Sequence, residues 1–163
     1  MSGGEVIALV SVVVTGGLSP YIASSLARRA AEHTSTLARE DELRSALDAA
    51  GIRLTDAVRT FEIAAESAQG SVGQAALAPL EPQLEQLQMN YVRLAVRVGV
   101  EAPETSVYHA AIETLRTLDA DLWAESRGES SSLQVNATVR LSKVQQLSSQ
   151  FFEAASSRVG PKS

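Results

Sequence analysis

The chain has 163 residues, of which 45% are hydrophobic but only 4% aromatic, and it carries a formal net charge of −5. This length accommodates one modest domain and an appendage, and apolar content supplied mainly by Ala, Leu and Val is typical of helical proteins. The acidic balance, without a cluster of Lys and Arg, argues against a nucleic-acid partner. Because the sequence contains no cysteine, disulfides and thiolate metal ligands are excluded.

The first predicted element is an uncharged segment from Val6 to Ala27, which lies between Glu5 and the pair Arg28 and Arg29. As a helix its 22 residues would span about 33 Å, and a bilayer hydrocarbon core is about 30 Å thick. We therefore predict a transmembrane anchor over this segment. Its apolar residues are Val6, Ile7, Leu9, Val10, Val12, Val13, Val14, Leu18, Ile22 and Leu26.

The basic residues nearest to this segment predict its orientation. Arg28 and Arg29 follow the apolar run, and no basic residue precedes it, which disfavours a secretory signal. The positive-inside tendency then places the short N-terminus, residues 1–5, outside and the remainder of the chain in the cytoplasm. We predict a single-pass protein of a bacterial cytoplasmic membrane. A second hypothesis is a helical sensor domain, either in the cytoplasm or, with reversed topology, outside it.

The letters VVVTGG at 12–17 support a different interpretation. Together with Ile22 and Leu26 they resemble the strand–turn–helix of short-chain dehydrogenases, where glycines let the backbone approach a pyrophosphate. That resemblance would imply a soluble NAD(P)-binding enzyme. The stretch lacks the family's further glycines, since 18–21 read LSPY, and the sequence after residue 30 predicts none of the parallel strands that such a fold requires.

A long helix is predicted to follow the anchor. Residues 28–42 form a polar stalk, because they offer too little apolar surface to be packed. From residue 43 onward the helix carries a seam at heptad spacing, formed by Leu43, Leu47, Leu54 and Phe61. Gly51 interrupts this seam and allows a bend or a break.

Three further helices are predicted. The clearest pattern in the chain is a 4-3-4-3-4 spacing that gives one helix a single buried face, ending at Gly99. Its seam consists of Leu80, Leu84, Leu87, Tyr91, Leu94 and Val98. The next helix is predicted from Glu104 to Gly128, with Thr105 or Ser106 as its cap, and the last begins after Ser132.

These elements predict an all-α protein in which an N-terminal transmembrane helix continues into a long helix and an antiparallel bundle at 43–159. Four helices fit the short connections best, and a loose tail occupies 160–163. An alternative is a three-helix bundle whose first helix pairs between protomers. The bundle would then serve as the contact to a second copy or to another protein.

No catalytic, cofactor-binding or metal-binding residue is predicted. A di-iron bundle needs two Glu-x-x-His motifs, but Ala30 precedes His33 and Ser106 precedes His109 at that spacing. His109 and Glu113 stand one turn apart, which is usual for a surface contact. We therefore expect no cofactor.

The apolar span ending at Ser19 and Pro20, then Arg28 and Arg29, and the helix LAREDELRSALDAA resemble small single-span helical proteins common in actinobacteria. Those proteins are largely uncharacterised, so the resemblance implies a membrane location rather than an activity. The sequence thus predicts a membrane-tethered helical bundle without catalytic activity, which mediates protein–protein interaction or self-association.

Overall fold

The computed structural model describes residues 20–67, 73–128 and 133–159, with side chains for 28–67, 75–128 and 136–159. Within these ranges the chain forms helices and turns and no strand. The helices are α1 (Pro20–Ser67), α2 (Gly73–Leu77), α3 (Leu80–Val98), α4 (Pro103–Ser126) and α5 (Leu133–Val159). The predicted all-α class is therefore confirmed for the described residues.

Backbone contacts divide the chain into two units, Met1–Glu42 and Leu43–Ser163. In the first unit, every described side chain from 28 to 42 is exposed except that of Ala30. The hydroxyl of Thr34 donates to the Ala30 carbonyl within the same helix, and Arg28 lies 3.6 Å from Glu32. Both of these contacts lie within the helix itself.

The predicted membrane anchor falls largely on residues that the structure does not describe. Its apolar residues from Val6 to Leu18 lie outside the described ranges, and so do the side chains of Ile22 and Leu26. Among the residues that are described, no helix has both the length and the apolar character needed to cross a membrane.

The second unit is a four-helix bundle built from α3, α4, α5 and the part of α1 that follows Glu42. Side-chain pairs show how α3, α4 and α5 run. Arg140 lies near the start of α5, and its Nε is 2.6 Å from Oδ2 of Asp121, near the end of α4. In the same way the ring of Tyr91 in α3 lies 4.9 Å from that of His109 in α4. Each of these neighbouring pairs is therefore antiparallel, as helices joined by short connections usually are.

Helix α1 also runs antiparallel to α5 and closes the bundle. The Gln145 amide donates to the Glu62 carboxylate at 2.7 Å. Further along, Gly51 faces the rings of Phe151 and Phe152, and a Cβ added at residue 51 would lie 2.5 Å from Cε1 of Phe152. Glycine therefore lets the Phe152 ring of α5 approach the backbone of α1 closely. Helix α1 continues through this position without the break that the sequence allowed.

The predicted seam residues line a single hydrophobic core. Seven of them have at most 9% of their surface exposed, and three are half-buried against the core. The buried group is Leu47, Leu54, Phe61, Leu80, Leu87, Leu94 and Val98, and the half-buried group is Leu43, Leu84 and Tyr91. The seam of the first helix is thus covered by other helices of the same chain.

Two local features differ from the prediction. The short helix α2 stands where the sequence indicated only a connection. Helix α4 begins at Pro103, one residue earlier than predicted, because proline has the backbone angle of a first helical position. Thr105 and Ser106 consequently lie inside the helix, so the prediction that one of them is its cap is wrong. The Thr105 hydroxyl is buried and has no hydrogen-bond partner among the described residues. Gly99 and Gly128, with φ of 106° and 73°, follow the ends of α3 and α4 as predicted.

Candidate interaction surface

The side of α3 that faces away from the core carries apolar residues where polar ones are expected. Met89, Val92 and Val96 are 58%, 53% and 81% exposed, respectively. Their spacing of three and four residues places them on one face, opposite the buried residues Leu87 and Leu94. A bundle helix normally presents polar residues to water on this side. We call Met89, Val92 and Val96 the outer α3 face.

A shallow groove of about 500 Å³ between α3 and α4 adjoins the outer α3 face. Its lining includes Met89 and Val92 from that face, with Leu84 behind them. The Arg116 guanidinium on α4 donates to Gln88 at 3.0 Å and to Glu113 at 2.8 Å. The bond to Gln88 crosses from α4 to α3, whereas the bond to Glu113 lies within α4, and together they form a polar rim beside the apolar side chains of the groove.

Charge is distributed unevenly along α3. Glu81 and Glu85 lie in its N-terminal half, and Arg93 and Arg97 lie in its C-terminal half. All four side chains are exposed. Glu85 follows the spacing of the outer α3 face, four residues before Met89, so the apolar stripe has an acidic end and basic residues beside its other end.

An ion pair lies at the end of the bundle where α3 ends and α4 begins. The Glu104 side chain is 4% exposed and lies 3.3 Å from the Arg158 guanidinium of α5. The same guanidinium donates to the Val98 carbonyl at the end of α3, also at 3.3 Å. Arg158 of α5 therefore contacts both α3 and α4 at this end of the bundle.

Tyr108 places a hydroxyl in the centre of the bundle. Its side chain is fully buried, and the hydroxyl has no hydrogen-bond partner in good geometry among the described residues. Burial raises the pKa of Tyr108 above its usual value, although the nearby Asn90 amide and the Arg53 charge act in the opposite direction. At neutral pH the phenol is therefore uncharged.

Because the Tyr108 phenol is buried, we expect the free energy of unfolding to fall at alkaline pH. Since the pKa of Tyr108 is higher in the folded chain, the unfolded chain releases its proton first as the pH rises above about 10. The free energy of unfolding should then fall by up to about 1.4 kcal/mol per pH unit. Tyr108→Phe removes this contribution, so urea unfolding at pH 7, 10 and 11 should show a smaller alkaline loss in the variant. Equal losses in the two proteins would contradict this account.

The titratable side chains of His109 and Asp119 lie elsewhere on α4. His109 Nε2 lies 3.8 Å from Glu113 Oε1, and both side chains are about half exposed, which fits the predicted surface contact. Burial, together with the charge of Glu81, raises the pKa of Asp119, while a hydrogen bond from Trp123 opposes that rise. No group of three or more His, Asp or Glu in the described ranges is placed to hold a metal ion.

The dinucleotide-binding interpretation requires parallel strands between helices. After residue 30, the described residues contain helices and turns instead. The VVVTGG letters at 12–17 lie outside the described ranges.

The structure places the remaining sequence-predicted residues as follows. Arg28 and Arg29, which predict the topology, are exposed on α1. The seam residues are interior and form no external site. The outer α3 face was missed by sequence reasoning, although its signal is present. Met89, Val92 and Val96 form a second apolar series on the helix that carries the clearest buried face.

The described residues form an all-α four-helix bundle with one additional short helix, and comparison with known proteins adds no family to that class. Neither the protein-family models, nor the curated proteins, nor the solved structures contain a match to the chain.

Proposed function

We propose that the chain is a membrane-tethered helical bundle without catalytic activity, and that it binds another protein chain through the outer α3 face. The observation that carries this proposal is the exposure of three neighbouring apolar side chains, with Val96 81% exposed. Large apolar side chains grouped on a surface are typical of protein interaction sites. The adjoining groove extends that surface towards α4.

The tether rests on the sequence. The segment from Val6 to Ala27 is uncharged and is followed at once by Arg28 and Arg29. An apolar helix of that length matches the bilayer, and the arginines favour the cytoplasm for everything that follows. The bundle would then meet its partner at the inner surface of the membrane.

Charges placed inside the anchor test the tether. Val10→Lys with Val13→Lys should release the full chain from membranes washed with alkaline carbonate, because each lysine costs about 2.5–3.5 kcal/mol at the centre of a membrane helix. The unchanged chain should stay in the membrane pellet. Val139→Lys, at an exposed site on α5, is the matched control and should behave as the unchanged chain does. Release of all three proteins would contradict the tether.

Photo-crosslinking in cells tests the binding surface. A benzoyl-phenylalanine residue at position 96 should form a covalent adduct with a second polypeptide, of whatever mass, because this side chain is the most exposed of the outer α3 face. The same residue at position 149, which is exposed on α5, serves as the control. Adducts no stronger at 96 than at 149 would overturn the proposed surface.

A further inference from the structure

We infer that the partner seated on the outer α3 face is a second copy of the same chain, bound so that the two α3 helices run antiparallel. This inference rests on the proposed function and names its partner. It is carried by three observations on α3, namely the register of its apolar stripe, the distribution of its charges, and the size of the surface that it offers.

The register of the stripe is self-complementary. Glu85, Met89, Val92 and Val96 follow one another at spacings of 4, 3 and 4, which read the same in both directions. When two such stripes are placed antiparallel about a two-fold axis between Met89 and Val92, Met89 faces the second copy's Val92, and Val96 faces its Glu85. A two-fold contact uses one patch twice, which is the usual form of a homodimer interface.

The charges select the antiparallel orientation. In that orientation Arg93, beside the C-terminal end of one stripe, approaches Glu85 at the N-terminal end of the other. A parallel pair would instead bring Glu85 close to Glu85 and Arg93 close to Arg93. Placing like charges against each other disfavours a complex, whereas opposite charges set its orientation.

The size of the surface indicates a weak contact. Helix α3 has 19 residues, so it is about 28 Å long and about 10 Å wide, and offers on the order of 300 Å² to a partner helix. A stable interface buries about 800 Å² on each side. The groove beside α4 adds to the contact area, but the pair still needs a high local concentration, which confinement of both copies to one membrane supplies.

Cysteine scanning of the full chain tests this arrangement. The sequence has no cysteine of its own, so only the introduced cysteine can be crosslinked. Two differently tagged copies are produced in the same cells, and their membranes are treated with a short bis-maleimide. Met89→Cys and Val92→Cys lie beside the proposed two-fold axis, so each should link the two tags. Val96→Cys lies about 16 Å from its own counterpart along the antiparallel pair and should not. Ser149→Cys, exposed on α5, is the control.

The outcomes separate the inference from the proposed function. Linkage at 89 and 92 but not at 96 supports the antiparallel pair, whereas equal linkage at 96 indicates a parallel pair and overturns it. Linkage at 89 and 92 no higher than at 149 also overturns it. If linkage at 89 and 92 is no higher than at 149, but position 96 forms a photo-adduct with a different protein, the proposed function stands. The inference that the partner is a second copy is then wrong. If position 96 gives no adduct either, both fail.

A charge exchange between Glu85 and Arg93, which are both exposed, provides an independent test. In a Val92→Cys background, Glu85→Arg alone and Arg93→Glu alone should each lower the linked fraction by about fivefold or more, because each places like charges together. The double variant should recover most of the linkage, while circular dichroism stays helical throughout. A double variant that links no better than either single variant would contradict the pairing of these residues.

Discussion

Replacing Leu47 and Leu54 with asparagine is expected to unfold the bundle. Both side chains are almost completely buried in the common core. Truncating a buried leucine costs about 2–5 kcal/mol, and an unbonded amide left in its place adds about 1–3 kcal/mol. Two such changes together approach the whole free energy of unfolding of a small domain, about 5–15 kcal/mol.

The matched control for this pair is Ile52→Asn, on the same helix but 62% exposed. It should melt within a few degrees of the unchanged protein, because surface substitutions usually change stability by about 0.5 kcal/mol or less. Thermal unfolding followed by circular dichroism at 222 nm distinguishes the two cases. A cooperative transition of the Leu47 and Leu54 double variant at the unchanged temperature would refute the intramolecular seam.

Arg158→Met is expected to have the next largest effect. It leaves the buried Glu104 carboxylate without its cation and removes the bond to the Val98 carbonyl. Removing one member of a fully buried pair costs about 3–5 kcal/mol, but Arg158 is 37% exposed, so water reduces this loss. We expect a loss of about 1–3 kcal/mol in urea unfolding near pH 7.

A double-mutant cycle shows whether the loss comes from the ion pair. Glu104→Gln removes the charge but keeps the shape, and combined with Arg158→Met it should recover part of the stability, because no buried charge then lacks a partner. If the two changes simply add, the pair is not coupled, and Arg158 stabilises the bundle through its other contacts. High salt should lower the coupling free energy between Glu104 and Arg158 only slightly, because Glu104 is shielded from solvent.

The bundle was predictable because its core pattern is strictly periodic. Leu80, Leu87 and Leu94 recur at heptad spacing and all become buried, and Gly99 ends their helix through a positive φ that glycine adopts easily. Glycine at residue 51 was harder to interpret. Its effect depends on Phe152, about a hundred residues later in the chain, and no local pattern shows that the two meet.

The outer α3 face was less predictable from the sequence, for a physical reason. A single apolar face is enough to explain α3 as a bundle helix, so Met89, Val92 and Val96 add nothing to that prediction until the burial of the opposite face is known. The burial of Glu104 was also difficult to predict from local sequence. A carboxylate in a first helical turn is usually solvated, and only the arrival of Arg158 from the far end of the chain allows it to be enclosed.

The contact between α1 and α5 also has a consequence for the order of folding during synthesis. Gln145 and Glu62 are 83 residues apart in the chain, whereas α3 and α4 follow each other directly. Contacts between neighbouring helices form quickly, and those that close a long loop form late. A nascent chain that stops before Leu133 therefore lacks α5, which places Phe151 against Tyr108 and Gln145 against Glu62, so the bundle can close only after α5 has been synthesised.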